Sequence, residues 1–313
     1  MHIQWYPGHM YKASKELKKI LPNIDLLIEI LDARIPFSSE NPMLADIRGD
    51  KPCIKILNKS DLADPVMTKC WQDYLEQDQG VKTLAISNQK TENQAFSRAQ
   101  ALPDLCRKII PISENRDRPI HALIMGIPNV GKSTIINTLA GRTIAKTGNE
   151  PAVTKMQQRI DLGNGIVLLD TPGMLWPNIE NQNSGYRLAA TGAVKDTAME
   201  YEDVASYTAE YLLENYTEQL MNRFQLDEVP HDDYQFFNII GKKRGCLKTG
   251  GHLDLHKISK IFITEFRAGK LGSITLETPN MMEKEITEVI KIREIKEAKK
   301  TARKQARKKR RKK

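Results

Sequence analysis

Cysteine is sparse in this chain: four in 313 residues, at Cys53, Cys70, Cys106 and Cys246, with no CxxC pair among them. That spacing excludes a zinc ribbon and gives no disulfide framework, which points to a reducing compartment. The six histidines form no cluster at metal-ligand spacing. No run of 18 apolar residues is present, and neither a lipidation motif nor an amphipathic basic anchor is found, so no membrane role is expected. The start, Met1-His-Ile-Gln4, has no signal h-region and no Arg/Ser-rich transit character, so the expected location is cytoplasmic. No internal repeat is found. Basic residues have only a small surplus, and it sits in one place. From Lys291 to Lys313 there are 14 Lys or Arg against two Glu, a net of +12, so the chain's +9 leaves about −3 for the first 290 residues.

What is present is a set of phosphate-handling motifs. Gly126-Ile-Pro-Asn-Val-Gly-Lys-Ser133 has the spacing G-x-x-x-x-G-K-[ST], between the apolar run His121–Met125 and a helical stretch from Lys132 to Leu139. A strand, a tight turn and a helix start are expected there. Backbone N–H groups from Asn129, Val130, Gly131, Lys132, Ser133 and Thr134, with the positive end of the helix dipole, can wrap a triphosphate. Lys132 adds charge against the outer phosphates, and Ser133 can ligate Mg2+. Ile166–Leu169 reads as a strand ending in Asp170-Thr-Pro-Gly173. There Asp170 can hold Mg2+ through water, and the Gly173 N–H can meet a γ-phosphate. Thr154, in the polar loop 141–155, is the candidate second hydroxyl ligand for Mg2+.

Asn58-Lys-Ser-Asp61 follows the β-type run Cys53–Leu57. The Asp61 carboxylate can accept from the guanine N1–H and amine, Asn58 can bond the base edge, the Lys59 stem can cover the ring face, and Ser60 completes the motif. Ser87-Asn88, after Thr83–Ile86, is the expected last piece of the base pocket. Six apolar runs, Leu26–Leu31, Cys53–Leu57, Lys82–Ile86, His121–Met125, Gln158–Leu162 and Ile166–Leu169, read as strands. The last two are joined by the hairpin signal Gly163-Asn-Gly165. With helices between most of the others, the expected fold is α/β: a doubly wound P-loop GTPase sheet with the nucleotide across its C-terminal edge.

The order of these motifs is unusual, because the base motif precedes the phosphate loop. That order resembles the circularly permuted GTPases. With Trp5-Tyr-Pro-Gly-His-Met10, Asp32-Ala-Arg-Ile-Pro36, Ser38-Ser-Glu-Asn-Pro42, Arg244-Gly-Cys-Leu247 and Gly250-Gly251, residues 1–279 resemble the ribosome biogenesis GTPase A family, factors of late large-subunit assembly. The resemblance implies GTP hydrolysis with Mg2+, and an immature large (50S) ribosomal subunit, rRNA and ribosomal proteins, as partner. A monomer is expected; the family is cytoplasmic in bacteria or mitochondrial in eukaryotes, and the lack of transit character at the start favours the bacterial kind. Met174 stands where many GTPases place a water-orienting glutamine. The resemblance gives that role to His9, whose other reading is a cap or packing contact for the following helix. It likewise implies a K+ site at Asn129, whose other reading is a turn stabiliser. Asp32-Ala-Arg34 fits either a loop salt bridge or a contact with the switch or RNA.

Beyond the sheet the period becomes helical: Asp203–Phe224, Asp232–Ile240 and Leu255–Phe266 carry apolar faces. The expected division is a permuted GTPase domain at 1–180 with an N-terminal helix at 9–21, a helical RNA-binding domain at 184–279, and a basic tail at 281–313, disordered or a frayed helix when free. The Lys242–Gly251 loop, with four basic residues, suits a phosphate backbone. Each phosphate the tail neutralises would steepen the salt dependence by roughly 0.7 to 0.9 units of log–log slope. Cutting the chain after Gly173 makes the switch lead directly into the helical domain. The reading from a different class is an RNA-binding scaffold with a structural, non-cycling nucleotide site.

Overall fold

The computed structural model describes residue 17 and residues 19–87, 94–110, 118–143, 158–173, 175–176 and 179–310. His9, Asn88, Thr154 and Met174, with most of the expected N-terminal helix, lie outside them. The first part of the chain forms β1 (Leu26–Asp32), α1 (Pro36–Ser39), α2 (Pro42–Arg48), β2 (Cys53–Asn58), α3 (Pro65–Leu75), β3 (Val81–Ile86), α4 (Gln94–Ile109), β4 (Ile120–Gly126) and α5 (Lys132–Ala140). The hairpin β5 (Gln158–Asp161) and β6 (Ile166–Asp170) follows. The remainder is helical: α6 (Gln182–Thr191), α7 (Tyr201–Asn215), α8 (Thr217–Phe224), α9 (Asp233–Lys243), α10 (Leu255–Arg267) and α11 (Pro279–Arg310).

The strands lie in the order β3-β2-β1-β4-β6-β5, parallel except for the β5–β6 pair. β1, β2 and β4 are near-continuous apolar runs because both faces of a parallel sheet are covered by helices. Helix starts are written in the sequence. Asn41, Asp64, Asn181, Asp232 and Asp254 each accept from backbone N–H groups of the first turn they precede, and proline opens α1, α2 and α3.

The helical region does not keep to itself. One buried apolar cluster runs from β1 and β4 through Leu188, Val204 and Leu212 to Phe236 and Phe262. Within it Phe236 and Phe262 meet edge to face, with ring centroids 5.6 Å apart. After α10 the chain returns to the sheet: the Ile274 N–H donates to Leu62 O at 2.9 Å, the Leu276 N–H to Arg34 O at 2.8 Å, and Trp71 Nε1 to Glu277 O at 3.0 Å.

Three expectations change in detail. The single helical face from Asp203 to Phe224 is two helices, broken at Tyr216, whose hydroxyl donates to Thr275 O at 3.2 Å. Anchoring that ring to the returning segment takes its backbone out of the helix, at φ −137° and ψ 38°. The segment expected as a basic tail begins as docked helix: α11 buries Met282 and Glu285 in its first turns before the exposed residues 291–301. Two of the four basic residues of the 242–251 loop are spent on the fold. Lys243 Nζ donates to Phe224 O at 3.4 Å, and Arg244 pairs with Glu265 at 3.2 Å. All four remain exposed.

Candidate nucleotide site

The C-terminal ends of β1, β2 and β4 bring the separated motifs together. Asp32 and Asn58 lie in register at the ends of β1 and β2, and Gly126 of β4 pairs with Ile30 on the other side of β1. Asn58, fully buried, donates from Nδ2 to Val130 O at 2.6 Å, so the base motif holds the phosphate loop across 72 residues of sequence. Lys59 does the same one residue earlier, donating from Nζ to Asn129 O at 2.8 Å. The turn 58–61 is closed by the Ser60 N–H on Ile86 O at 3.1 Å and the Leu62 N–H on Lys59 O at 2.9 Å. Ser87, beyond the end of β3, adjoins this turn through that strand, and the Asp61 side chain stays half-buried. Lys59 adopts φ 58°, a left-handed conformation unusual for a side-chain-bearing residue.

The phosphate loop has the shape expected of it. A Cβ on Gly126 would lie 2.8 Å from Ile30 O, so the strand can turn there only without a side chain. Asn129 at φ 59° and Gly131 at φ 94° are both left-handed, and Gly131 caps α5 without a side-chain bond, leaving N–H groups of the first turn unclaimed by a cap. Ser133 is half-buried and Thr134 exposed on that first turn. Gly173 lies against the loop, where a Cβ would come within 3.1 Å of Pro128 Cα. The switch glycine and the phosphate loop are therefore neighbours.

Lys132 and Asp170 are both buried, and Lys132 Nζ donates to Asp170 Oδ1. Burial pushes the Asp170 carboxyl up and the Lys132 ammonium down, and their mutual attraction opposes both. Asp170 Oδ2 is buried with no hydrogen-bond partner among the described residues. An orphaned carboxylate oxygen beside the hydroxyl-bearing start of α5 fits a hard cation held through oxygen.

Several contacts here had no signal in sequence. Asn129 Nδ2 donates to Gly192 O at 2.8 Å, tying the phosphate loop to the C-terminal end of α6. Arg267, at the end of α10, donates to Ala189 O at 2.8 Å and Ala190 O at 3.1 Å, holding the same helix end. In the middle of α6, Arg187 forms a fork with Glu285 at 2.6 and 3.0 Å and lies 3.6 Å from Glu277. Asp32 and Arg34, left open between a salt bridge and an outside contact, form the salt bridge at 2.8 Å.

Comparison with known proteins agrees with this geometry. The family described as "50S ribosome-binding GTPase" matches residues 121–226. The chain is 45% identical over 286 residues to a Priestia megaterium protein named "Ribosome biogenesis GTPase A", covering 90% of this chain and 99% of that one. It is 33% identical to the "Mitochondrial ribosome-associated GTPase 1" of Xenopus tropicalis, over 87% of this chain and 94% of that one. Among solved structures, GNP-bound YlqF from T. maritima superposes with a TM-score of 0.58 at 28% identity, over 86% of this chain and 98% of that one. A GDP-bound structure of the same protein gives 0.60 at 29%, over 85% and 99%.

Proposed function

The chain belongs to the ribosome biogenesis GTPase A family and is a GTPase; from that premise we propose that it is an assembly factor of the large ribosomal subunit. In this reading it binds rRNA of the precursor with GTP in place and leaves when GTP is hydrolysed. It works as a cytoplasmic monomer.

The observation that carries this reading is the position of α6. The helix follows the switch Asp170–Gly173 in the chain, is bonded to the phosphate loop through Asn129, and is clasped by Arg267 of α10 and by Glu285 of α11, the helix that carries the basic stretch. A displacement of the switch on loss of the γ-phosphate would therefore be felt at both helices. α11 supplies the phosphate-seeking charge, joined by Lys242 and Lys248, and this charge makes binding fall with salt.

At the site itself, Asn58, Lys59, Ser60 and Asp61 would read guanine, with Ser87 and Asn88 closing the pocket. Backbone N–H groups from Asn129 to Thr134 and of Gly173 would hold the phosphates, with Lys132 on the outer ones. Ser133, Asp170 and Thr154 would hold Mg2+, which when bound neutralises charge on the outer phosphates. Asn129 would contribute to a K+ site, and His9 would orient the attacking water in place of the missing glutamine.

The deciding experiment is sedimentation of large-subunit precursors with the protein, in a non-hydrolysable GTP analogue and in GDP, at two salt concentrations. Retention with the analogue, loss with GDP and a steep salt dependence are expected. Equal retention in both nucleotide states would refute the switch.

A further inference from the structure

At the end of β1, shortly before the first turn of α1, sits a buried acid–base pair that no nucleotide motif contains. Asp32 and Arg34 are 1% and 2% exposed. The Arg34 guanidinium forks onto the carboxylate, Nε to Oδ1 at 2.9 Å and Nη2 to Oδ2 at 2.8 Å, and the Arg34 N–H adds a third bond to Oδ1 at 3.1 Å. The Asp32 N–H is itself fixed on Ser39 Oγ at 3.0 Å. Oδ2 then takes one more donor, Lys59 Nζ at 2.9 Å. Burial alone would raise the Asp32 carboxyl, but the Arg34 guanidinium and then the Lys59 ammonium outweigh it and hold it well below the usual carboxylate range.

We infer that Asp32, clamped by Arg34, is the positioning residue for Lys59, fixing the lysine stem as one wall of the guanine pocket and the phosphate loop beneath it. The inference rests on the assignment of Asn58–Asp61 to the base. Lys59 has four rotatable side-chain bonds and leaves the backbone at a left-handed residue. Left alone, such a chain samples many rotamers, a freedom that ordering must overcome. Its ammonium is held at two points, the Asp32 carboxylate and the Asn129 carbonyl, 2.9 and 2.8 Å away. Two fixed acceptors restrict the rotamers open to the methylenes, and the second acceptor is part of the phosphate loop. The base wall and the phosphate loop are set by one ammonium group.

Arg34 extends the device outward. Its guanidinium lies 5.4 Å from the centroid of the Phe266 ring of α10, and its carbonyl accepts from the Leu276 N–H at 2.8 Å. The helical region is packed against the residue that orients the lysine's anchor.

The test is dissociation of a fluorescent GDP from the full chain, with steady-state GTP hydrolysis beside it. Lys59→Met should speed release, and Asp32→Asn should speed it on the order of tenfold, the size of one charge-assisted hydrogen bond. The double variant should release no more than about twofold faster than Lys59→Met, since Asp32 acts through the lysine. In hydrolysis, Asp32→Asn should raise KM for GTP and leave kcat in place. Should Asp32→Asn fail to fold, Arg34→Lys keeps the Asp32–Lys59 bond but loosens the carboxylate, and an intermediate acceleration is expected. Unchanged release in Arg34→Lys and Asp32→Asn, or additive losses in the double variant, would overturn the inference while leaving the base site intact. Unchanged release in Lys59→Met would overturn the base-site assignment and the inference with it.

Discussion

Replacing Arg187 with methionine should cost the protein about 3 kcal/mol, because it takes the guanidinium out of a buried group that includes two carboxylates. Arg187 is 1% exposed and Glu277 0%, and Glu285 receives both guanidinium arms. Breaking a buried ion pair from one side costs roughly 3 to 5 kcal/mol. The lower end applies because each acid keeps other donors. Glu277 retains the Ser38 N–H at 3.0 Å and its hydroxyl at 2.5 Å, and Glu285 retains Asn181 at 2.5 Å and Asn183 at 2.9 Å. For a chain of this length that loss lowers Tm by about 4–5 °C. The assay is thermal and urea unfolding of the full chain with and without the further change Glu285→Gln, which removes the surplus charge and should recover half of the loss or more. Acid should help the single variant too. Burial already pushes the Glu277 carboxyl up, so its favourable protonated form is present at low pH and is lost as pH rises. A loss below about 1 kcal/mol, or no recovery with Glu285→Gln, would refute the view that this clasp holds α6 to α11.

Four more outcomes are expected. Glu29, whose carboxyl is pushed up to about 8 chiefly by burial and then by Glu40, favours the folded state fully below about 4.5 and loses that contribution as pH rises through 8. Glu29→Gln should therefore flatten stability against pH across that window, where each tenfold difference in proton affinity between folded and unfolded chain is worth about 1.4 kcal/mol, and an unchanged slope in urea titrations would reject it. Gly126→Ala forces a Cβ to within 2.8 Å of Ile30 O, and a loss of about 1–3 kcal/mol with slower nucleotide binding is expected; a wild-type Tm would contradict this. Asn129→Ala should remove the advantage of potassium over sodium buffer in hydrolysis, and persistence of that advantage moves the ion elsewhere. His9→Ala should abolish hydrolysis stimulated by ribosomal particles while leaving GDP affinity in place, and undiminished stimulation rules the histidine out as the water-orienting group.

The architecture was legible because its determinants are local. Most of the six strands are apolar runs bounded by turn residues, β5 with its single buried Ile160 being the exception, and the observed ends fall within a residue or so of the expected ones. The phosphate loop was legible because its motif spacing and the left-handed φ of Gly131 are local, although the close approach that demands Gly126 is to Ile30 O on the neighbouring strand. The base motif was legible as a motif, and its order relative to the phosphate loop identified the permuted family.

What only the folded chain decided are contacts between segments far apart in sequence. Lys59 was expected to cover a base, but its anchors at Asp32 and Asn129 depend on the register of three strands. Asp32 and Arg34 could equally have faced outward until packing against Phe266 and Leu276 buried them. The clasps on α6 join residues about 60 to 100 positions apart, through side chains and carbonyls whose neighbours no periodicity names. Lys243 and Arg244 read as phosphate-seeking by composition, yet their carbonyl and carboxylate partners lie in α8 and α10 and on the turn between α8 and α9. Sequence by itself determined which elements form and which chemistry the nucleotide motifs can perform, because propensity and motif spacing are short-range. Tertiary structure decided which charges are spent on the fold and which remain to act, because burial and pairing belong to the assembled chain.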